Sequence, residues 1–181
     1  MKRRTFIKKN AIVTLAPFIT TGLLARNKKI KSLSEKPFQL NYAPHFGMFE
    51  SMAGKDLMDQ IQFMHDQGFR SLEDNGMKNR SKKTQNDIAK KMEELGMSMG
   101  VFVGHKIYWK EPNLTSGDKS LQDEFVENIR DSVEVAKRVN ATWMTIVPGH
   151  IDLKKEMDYQ TANVIEALKR AAEILEKHNL V

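Results

Sequence analysis

Four side chains that could transfer protons, bind a metal or hold a polar substrate each follow a short apolar stretch of the sequence. They are His45, Glu73, His105 and His150. Imidazole changes its charge near neutral pH and also ligates metals, so these histidines suit either general acid–base chemistry or metal binding. A carboxylate at the end of an apolar run is costly to bury without a partner. We therefore expect a polar site around Glu73, with a salt bridge to Arg70 or Lys78 as the alternative.

Local motifs leave the reaction open. The chain has no cysteine, which excludes a cysteine nucleophile, and it has no H-E-x-x-H, G-x-S-x-G or EF-hand pattern. His45, Glu73, His105 and Asp152 would supply metal ligands if the fold brought them together, but their spacing alone does not show that. Two further histidines, His65 and His178, fall near the ends of predicted helices, where an imidazolium is favoured by the helix dipole.

Short apolar strands alternating with amphipathic helices must position these side chains. Strands are predicted at 38–43, 69–73, 97–103 and 142–147, and a fifth starts at 180. Helices are predicted at 51–67, 84–95, 120–139 and 159–178, each ended by Gly or Asn. Ser120 and Asp123 have the spacing of a capping box. Such alternation forms right-handed βαβ crossovers and therefore a parallel sheet.

Two α/β architectures fit this pattern, a doubly wound open sheet and a (β/α)8 TIM barrel. The first strand is not followed by a glycine-rich phosphate turn, and the chain stops as another strand begins, both of which favour the barrel. A closed barrel needs about 250 residues. Residues 37–181 are therefore interpreted as the first four βα units, an N-terminal half-barrel, whereas a complete flavodoxin-like domain would not end on a strand's second residue. In a barrel the four candidate side chains fall beyond the C-terminal ends of the strands, where functional residues gather.

The positive charge belongs to the leader. The chain has a formal net charge of +6, but residues 1–36 hold ten of its 29 lysines and arginines and one of its 23 acids. Residues 37–181 therefore carry a net charge of −3, which argues against a nucleic-acid partner. The composition, with 40% hydrophobic residues, excludes collagen, a coiled coil and a wholly disordered chain.

The first 25 residues have the layout of an export signal, with a basic start followed by an apolar stretch at 11–25. Arg3, Arg4 and Phe6 lie in a segment that resembles the twin-arginine signal, R-R-x-F-φ-K, in which φ is apolar. The apolar stretch is shorter than the roughly 20 residues that span a bilayer. We expect residues 1–25 to engage the export machinery and to direct the protein to the periplasm or another exported location. An uncleaved leader would act as a membrane anchor, and residues 26–36 are expected to be a linker.

Three segments, 41–49, 68–76 and 143–149, resemble hydroxypyruvate-isomerase-like proteins of the xylose isomerase-like (sugar phosphate isomerase/epimerase) barrel superfamily. The resemblance implies a substrate that is a small sugar or hydroxy-keto acid and a proton transfer next to its carbonyl through an enediolate, assisted by Mg, Mn or Zn. In that family Glu73 matches a glutamate of the substrate pocket, and the catalytic metal ligands lie on strands five to eight. The resemblance therefore places the catalytic and metal-binding residues beyond Val181, with His45, His105 and His150 as pocket-lining candidates.

By this reasoning residues 1–181 hold no metal and are inactive alone, although the parent protein is an enzyme. Two alternatives stay open. One is a barrel that binds a carbohydrate without catalysis, and the other is an abasic-site endonuclease of the same superfamily, which the acidic body disfavours. The sequence leaves the oligomeric state undetermined.

Overall fold

The computed structural model describes residues 36–181. Its helices are α1 (Glu50–Ala53), α2 (Leu57–Asp66), α3 (Lys82–Glu94), α4 (Lys119–Val139) and α5 (Met157–Leu175). Its strands are β1 (Ser71–Leu72), β2 (Ser98–Met99), β3 (Val101–Val103) and β4 (Trp143–Thr145). Short 3₁₀ turns at Met77–Asn79, Leu114–Ser116 and Glu176–His178 complete the regular structure. In this part of the chain no helix is long and apolar enough to cross a bilayer.

All paired strands run parallel, in the order that the alternating pattern predicts. β1 pairs with β2 and β3 pairs with β4, and only Gly100 separates β2 from β3. The edge of β1 is extended by a parallel bridge between His45 and Glu73. At the opposite edge, Val181 accepts a hydrogen bond from the Met144 N–H and donates one to the Thr142 carbonyl. The spatial order is therefore the chain order, from the segment at His45 to Val181, as in a barrel.

The first predicted strand, 38–43, is wrong. Its backbone forms no ladder, because the Tyr42 N–H turns back to the Leu40 carbonyl at 3.0 Å instead of reaching a neighbouring strand. The Phe38 N–H donates to the Gly68 carbonyl at 3.0 Å, but Gly68 lies outside β1. Pairing alongside β1 begins at Pro44, whose carbonyl accepts the Glu73 N–H at 3.1 Å. The apolar side chains that suggested the strand are exposed, with Leu40 at 65%.

The helices end close to the Gly and Asn residues that were predicted to end them, but two other predictions about the helices are wrong. The predicted helix 51–67 is two helices, because Gly54 adopts a φ of +83° that ends α1 and Asp56 caps α2. The N-cap of α4 is Asp118 rather than Ser120, since its carboxylate accepts the N–H groups of Ser120 and Leu121. The predicted helix ends at Asn140 and Asn179 are confirmed, because both residues adopt left-handed conformations.

Two apolar clusters hold the helices against the sheet. The first lies among α2, α3, the C-terminal half of α4 and the strands, and it includes Leu72, Ile88 and Phe102, all without solvent exposure. The second joins the N-terminal half of α4 to α5 through residues such as Ile129 and Ala167. Met144 of β4 contacts both clusters. The helical layer thus fixes the strand ends from which the candidate side chains extend.

Candidate active site

His45 and Glu73 meet at the C-terminal edge of the sheet. The bridge between their backbones brings the side chains together, and His45 Nε2 lies 2.6 Å from Glu73 Oε1. Both side chains are partly exposed, at 37% and 28%. The contact replaces the salt bridges to Arg70 or Lys78 that the sequence left open as alternatives. Among residues 36–181 the second carboxylate oxygen and Nδ1 have no other partner, so the pair can still bind a polar molecule.

The turn after Glu73 is held by a buried carboxylate. Asp74 is 5% exposed; its Oδ1 accepts the Gly76 N–H at 3.0 Å and its Oδ2 accepts Arg80 Nε at 2.5 Å. The guanidinium of Arg80 also lies 5.1 Å from the centre of the Phe46 ring. These contacts fix the segment that carries Lys78.

Lys78 extends into a cavity of about 590 Å³ beyond the ends of β1, β3 and β4. The strand ends supply Val103, Thr145 and Val147 to its wall. The remaining polar lining consists of two lysines, one histidine and three asparagines: Lys78, Lys106, His105, Asn75, Asn79 and Asn128. No aspartate or glutamate in the described residues lines the cavity.

The ammonium of Lys78 is bound by neutral oxygens. Nζ donates to the Asn128 carbonyl at 2.6 Å and to Asn128 Oδ1 at 3.0 Å, and it lies 3.4 Å from the Gly104 carbonyl. Within the described residues no carboxylate lies within salt-bridge distance of it. Burial lowers the pKa of Lys78, and the more distant Asp131 carboxylate opposes part of that effect.

His105 also lines the cavity but is 96% buried, since its exposed fraction is 4%. Its Nε2 accepts the Val147 N–H at 3.0 Å, which requires a ring without a proton on that nitrogen. Burial lowers the pKa of His105, and the positive charge of Lys78 lowers it further. The neutral ring therefore carries its proton on Nδ1, a buried atom with no hydrogen-bond partner in the described chain. The ring stacks edge-on against Phe125 at 5.1 Å.

The loop between β3 and α4 forms one rim of the cavity. Lys106 Nζ donates to the Tyr108 hydroxyl at 2.7 Å, and that hydroxyl donates to Glu124 Oε2 at 2.7 Å. The hydrogen bond with Tyr108 is the main cause that raises the pKa of Lys106. The hydrogen bond from Tyr108 is likewise the main cause that lowers the pKa of Glu124. The neighbouring Trp109 lines the cavity while 72% exposed.

His150 lies apart from these groups. It is exposed, and its contacts are through its backbone: its N–H donates to the Glu111 carbonyl at 3.3 Å, and its carbonyl accepts the Thr115 hydroxyl at 2.5 Å. These bonds fasten the β3–α4 loop to the loop after β4. The four proposed metal ligands do not converge either. Among residues 36–181 no three His, Cys, Asp or Glu side chains lie close enough together to hold a metal ion.

The sequence did not predict a role for Lys78 or Asn128, which contact each other in the wall of the 590 Å³ cavity. Lys78 was considered only as a partner for Glu73, although its position in the turn after a strand was a usable signal. Asn128 lies in the middle of α4, where nothing in the sequence distinguishes it from other helix-surface residues. The export-signal residues Arg3, Arg4 and Phe6 lie outside the described residues, as do the predicted leader 1–25 and all but the last residue of the predicted linker 26–36.

Comparison with known proteins adds a family and a fold. The family model described as "Xylose isomerase-like TIM barrel" matches residues 61–181, more than half of the chain. No curated protein matches the sequence. A solved structure of D-psicose 3-epimerase with D-tagatose from Clostridium cellulolyticum H10 is similar, with a TM-score of 0.59 and 15% identity over 78% of this chain and 50% of that one.

Two further structures align in the same way. An AP endonuclease, family 2, from Brucella melitensis has a TM-score of 0.58 and 15% identity over 77% of this chain and 52% of that one. A sugar phosphate isomerase/epimerase from Parabacteroides distasonis has a TM-score of 0.56 and 15% identity over 84% of this chain and 53% of that one. The chain therefore spans about half the length of each structure, and the shared feature at this identity is the TIM barrel fold.

Proposed function

We propose that the chain, which belongs to the xylose isomerase-like TIM barrel family, supplies the substrate-holding strands of an isomerase or epimerase. The substrate would be a small sugar or hydroxy-keto acid such as hydroxypyruvate. The reaction would remove a proton from the carbon next to a carbonyl to give an enediolate. The proton would then be returned to the former carbonyl carbon, which gives isomerisation, or to the opposite face of the same carbon, which gives epimerisation.

The contact between His45 and Glu73 carries the proposal. It places a carboxylate and an imidazole 2.6 Å apart at the C-terminal edge of a parallel sheet, where barrel enzymes bind their substrates. Glu73 can accept a hydrogen bond from a substrate hydroxyl while His45 holds the carboxylate in place. Similar structures of an epimerase and of a sugar phosphate isomerase/epimerase support a sugar-like substrate.

The divalent metal that the resemblance implies has no site among residues 36–181, where no set of three ligands converges. The described residues do not fit such an ion, so we assign them no step that uses one. We propose that any metal is held by residues of the strands that complete the barrel, and that residues 1–25 direct export.

The test uses the protein encoded by the complete reading frame. It would be incubated with hydroxypyruvate, D-fructose or D-tagatose in D₂O, with Mg²⁺ or Mn²⁺ and then with EDTA. Proton transfer next to the carbonyl predicts deuterium at that carbon, detected by NMR. An absence of both product and deuterium under all conditions would contradict the proposal, and cleavage of abasic-site DNA would replace it with the endonuclease alternative.

A matched pair of variants tests the role of Glu73. We expect Glu73→Gln to lower kcat/KM on the order of 10- to 100-fold, because it weakens hydrogen bonds made by a charged group. Glu134→Gln removes an exposed carboxylate on α4 that forms a salt bridge with Lys137, and it should leave kcat/KM unchanged. Equal activity of the two variants would remove Glu73 from the site.

A further inference from the structure

We propose that the cavity around Lys78 is an anion-binding subsite that takes the carboxylate or phosphate group of a small substrate. The inference deepens the proposed function, on which it rests for the identity of the rest of that molecule. It concerns Lys78 and Asn128, which the sequence did not indicate as a binding site, together with His105, which it did; neither His45 nor Glu73 lines this cavity.

The cavity lining carries positive charge. The cavity is lined by Lys78, Lys106 and His105, and no described carboxylate lines it, although residues 37–181 as a whole carry a net charge of −3. Glu124 partly balances Lys106 from 3.4 Å, outside the lining. Among residues 36–181, the oxygens within hydrogen-bond distance of Lys78 Nζ are all neutral. The more distant Asp131 carboxylate offsets part of the cost of burying this ammonium, and an anion bound in direct contact would offset more of it.

Two nitrogen donors at the cavity are weakly bound or have no partner in the described chain. The third Lys78 donor reaches only the Gly104 carbonyl at 3.4 Å, and that oxygen already accepts the Ser132 hydroxyl at 2.5 Å. This donor can therefore turn to an incoming oxyanion without leaving its present acceptor unpaired. His105 adds a buried ring nitrogen without a partner in the described chain. The pocket thus combines an ammonium that has no carboxylate in hydrogen-bond contact, a donor held only by a long bond to an oxygen that already has a partner, and a ring nitrogen without a partner in the described chain. Charged donors of this kind are what proteins use to bind carboxylates and phosphates.

The pocket is also of the right size and rigidity. A cavity of about 590 Å³ lies in the range of small-molecule sites. Its floor is fixed, because Asp74 and Arg80 hold the turn carrying Lys78 and Asn128 clamps its ammonium. A neutral sugar would gain little from this charge, so the cavity favours an anionic substrate over an unmodified ketose.

The test measures binding without turnover, so it is independent of the isomerase assay. Calorimetric titrations would use inorganic phosphate, D-glycerate and D-fructose on the protein from the complete reading frame. We expect phosphate or glycerate to bind at least tenfold more tightly than D-fructose, and more weakly as salt is added. Phosphate binding alone would indicate a phosphorylated substrate, and glycerate binding alone would indicate a carboxylate.

Variants assign the binding to Lys78. Lys78→Met should weaken anion binding on the order of 10- to 100-fold, because it removes a charged hydrogen-bond donor. Lys90→Met, which removes an equal charge from the exposed face of α3, should leave binding unchanged. If Lys78→Met does not fold, NMR on the unaltered protein decides: phosphate should shift the backbone amides of 75–79 and 104–107.

Each outcome is decisive. Equal binding of anions and D-fructose, or equal binding by the two variants, would overturn the subsite. Anion binding that depends on Lys78, in a protein without isomerase activity, would support the subsite and overturn the proposed function. Turnover of neutral ketoses without anion binding would support the proposed function and overturn the subsite.

Discussion

Mild acid, above the range in which carboxylates titrate, should weaken the fold through the buried His105. Burial lowers the pKa of its imidazole below the ordinary value of 6.5, and Nε2 accepts a hydrogen bond that only a neutral ring can accept. Below pH 6.5 the unfolded chain therefore binds a proton at this position that the folded protein does not bind. The free energy of unfolding contains this contribution in full above pH 6.5 and loses it as the pH falls toward the lowered pKa.

The size of the effect follows from linkage. One pH unit below its ordinary pKa, protonation stabilises the unfolded state by about 1.4 kcal/mol, and this is the largest loss that one histidine can cause between about pH 7.5 and about pH 5.5. A protein of this size has a urea m-value of about 2 kcal/mol/M, so the unfolding midpoint would fall by about 0.7 M at most.

Urea denaturation of the 181-residue chain, followed by far-UV circular dichroism at several pH values, measures this loss. His105→Gln keeps an oxygen that can accept the Val147 N–H but cannot titrate, so its stability should depend less on pH than that of the unaltered protein. His150→Gln, at an exposed histidine that hydrogen-bonds through its backbone, serves as the matched control. If His105→Gln loses as much stability in acid as the unaltered protein, the assignment of a buried neutral imidazole is refuted.

Two further substitutions test contacts that position the site. Gly68→Ala should lower the free energy of unfolding by more than about 1 kcal/mol, because its φ is +101° and a Cβ would lie 2.9 Å from the Lys36 carbonyl oxygen. Gly96→Ala, also at positive φ but with nothing within 4 Å, should cost less, and equal losses in thermal denaturation would argue against the clash. Asp74→Asn should cost about 1–3 kcal/mol by removing the charged partner of Arg80. Arg80→Met in the same background should then add little, and full additivity in urea denaturation would show that the two side chains are not coupled.

The helix-ending Gly and Asn residues and the periodicity of apolar residues in the sequence account for most of the fold. Gly68, Gly96 and Asn140 end their helices as predicted, because each takes a positive φ that few other residues adopt readily. The alternation of strands and helices predicted a parallel sheet in chain order, since right-handed crossovers leave little freedom in topology. Local signals failed where a neighbouring group competed. Asp118 caps α4 in place of Ser120, and Gly54 divides the helix that the apolar spacing predicted as one.

The sequence likewise determined one part of the candidate site, and the tertiary structure determined the other. The residue types and their positions after strands determined that His45, Glu73 and His105 lie at the C-terminal edge of the sheet, because parallel strands bring those ends to one side. Only the tertiary structure decided which of them meet: His45 and Glu73 touch, His105 is buried against Phe125, and His150 serves through its backbone. Lys78 and Asn128 come together from segments 50 residues apart. No local pattern encodes that contact, because it depends on how α4 packs across the turn after β1.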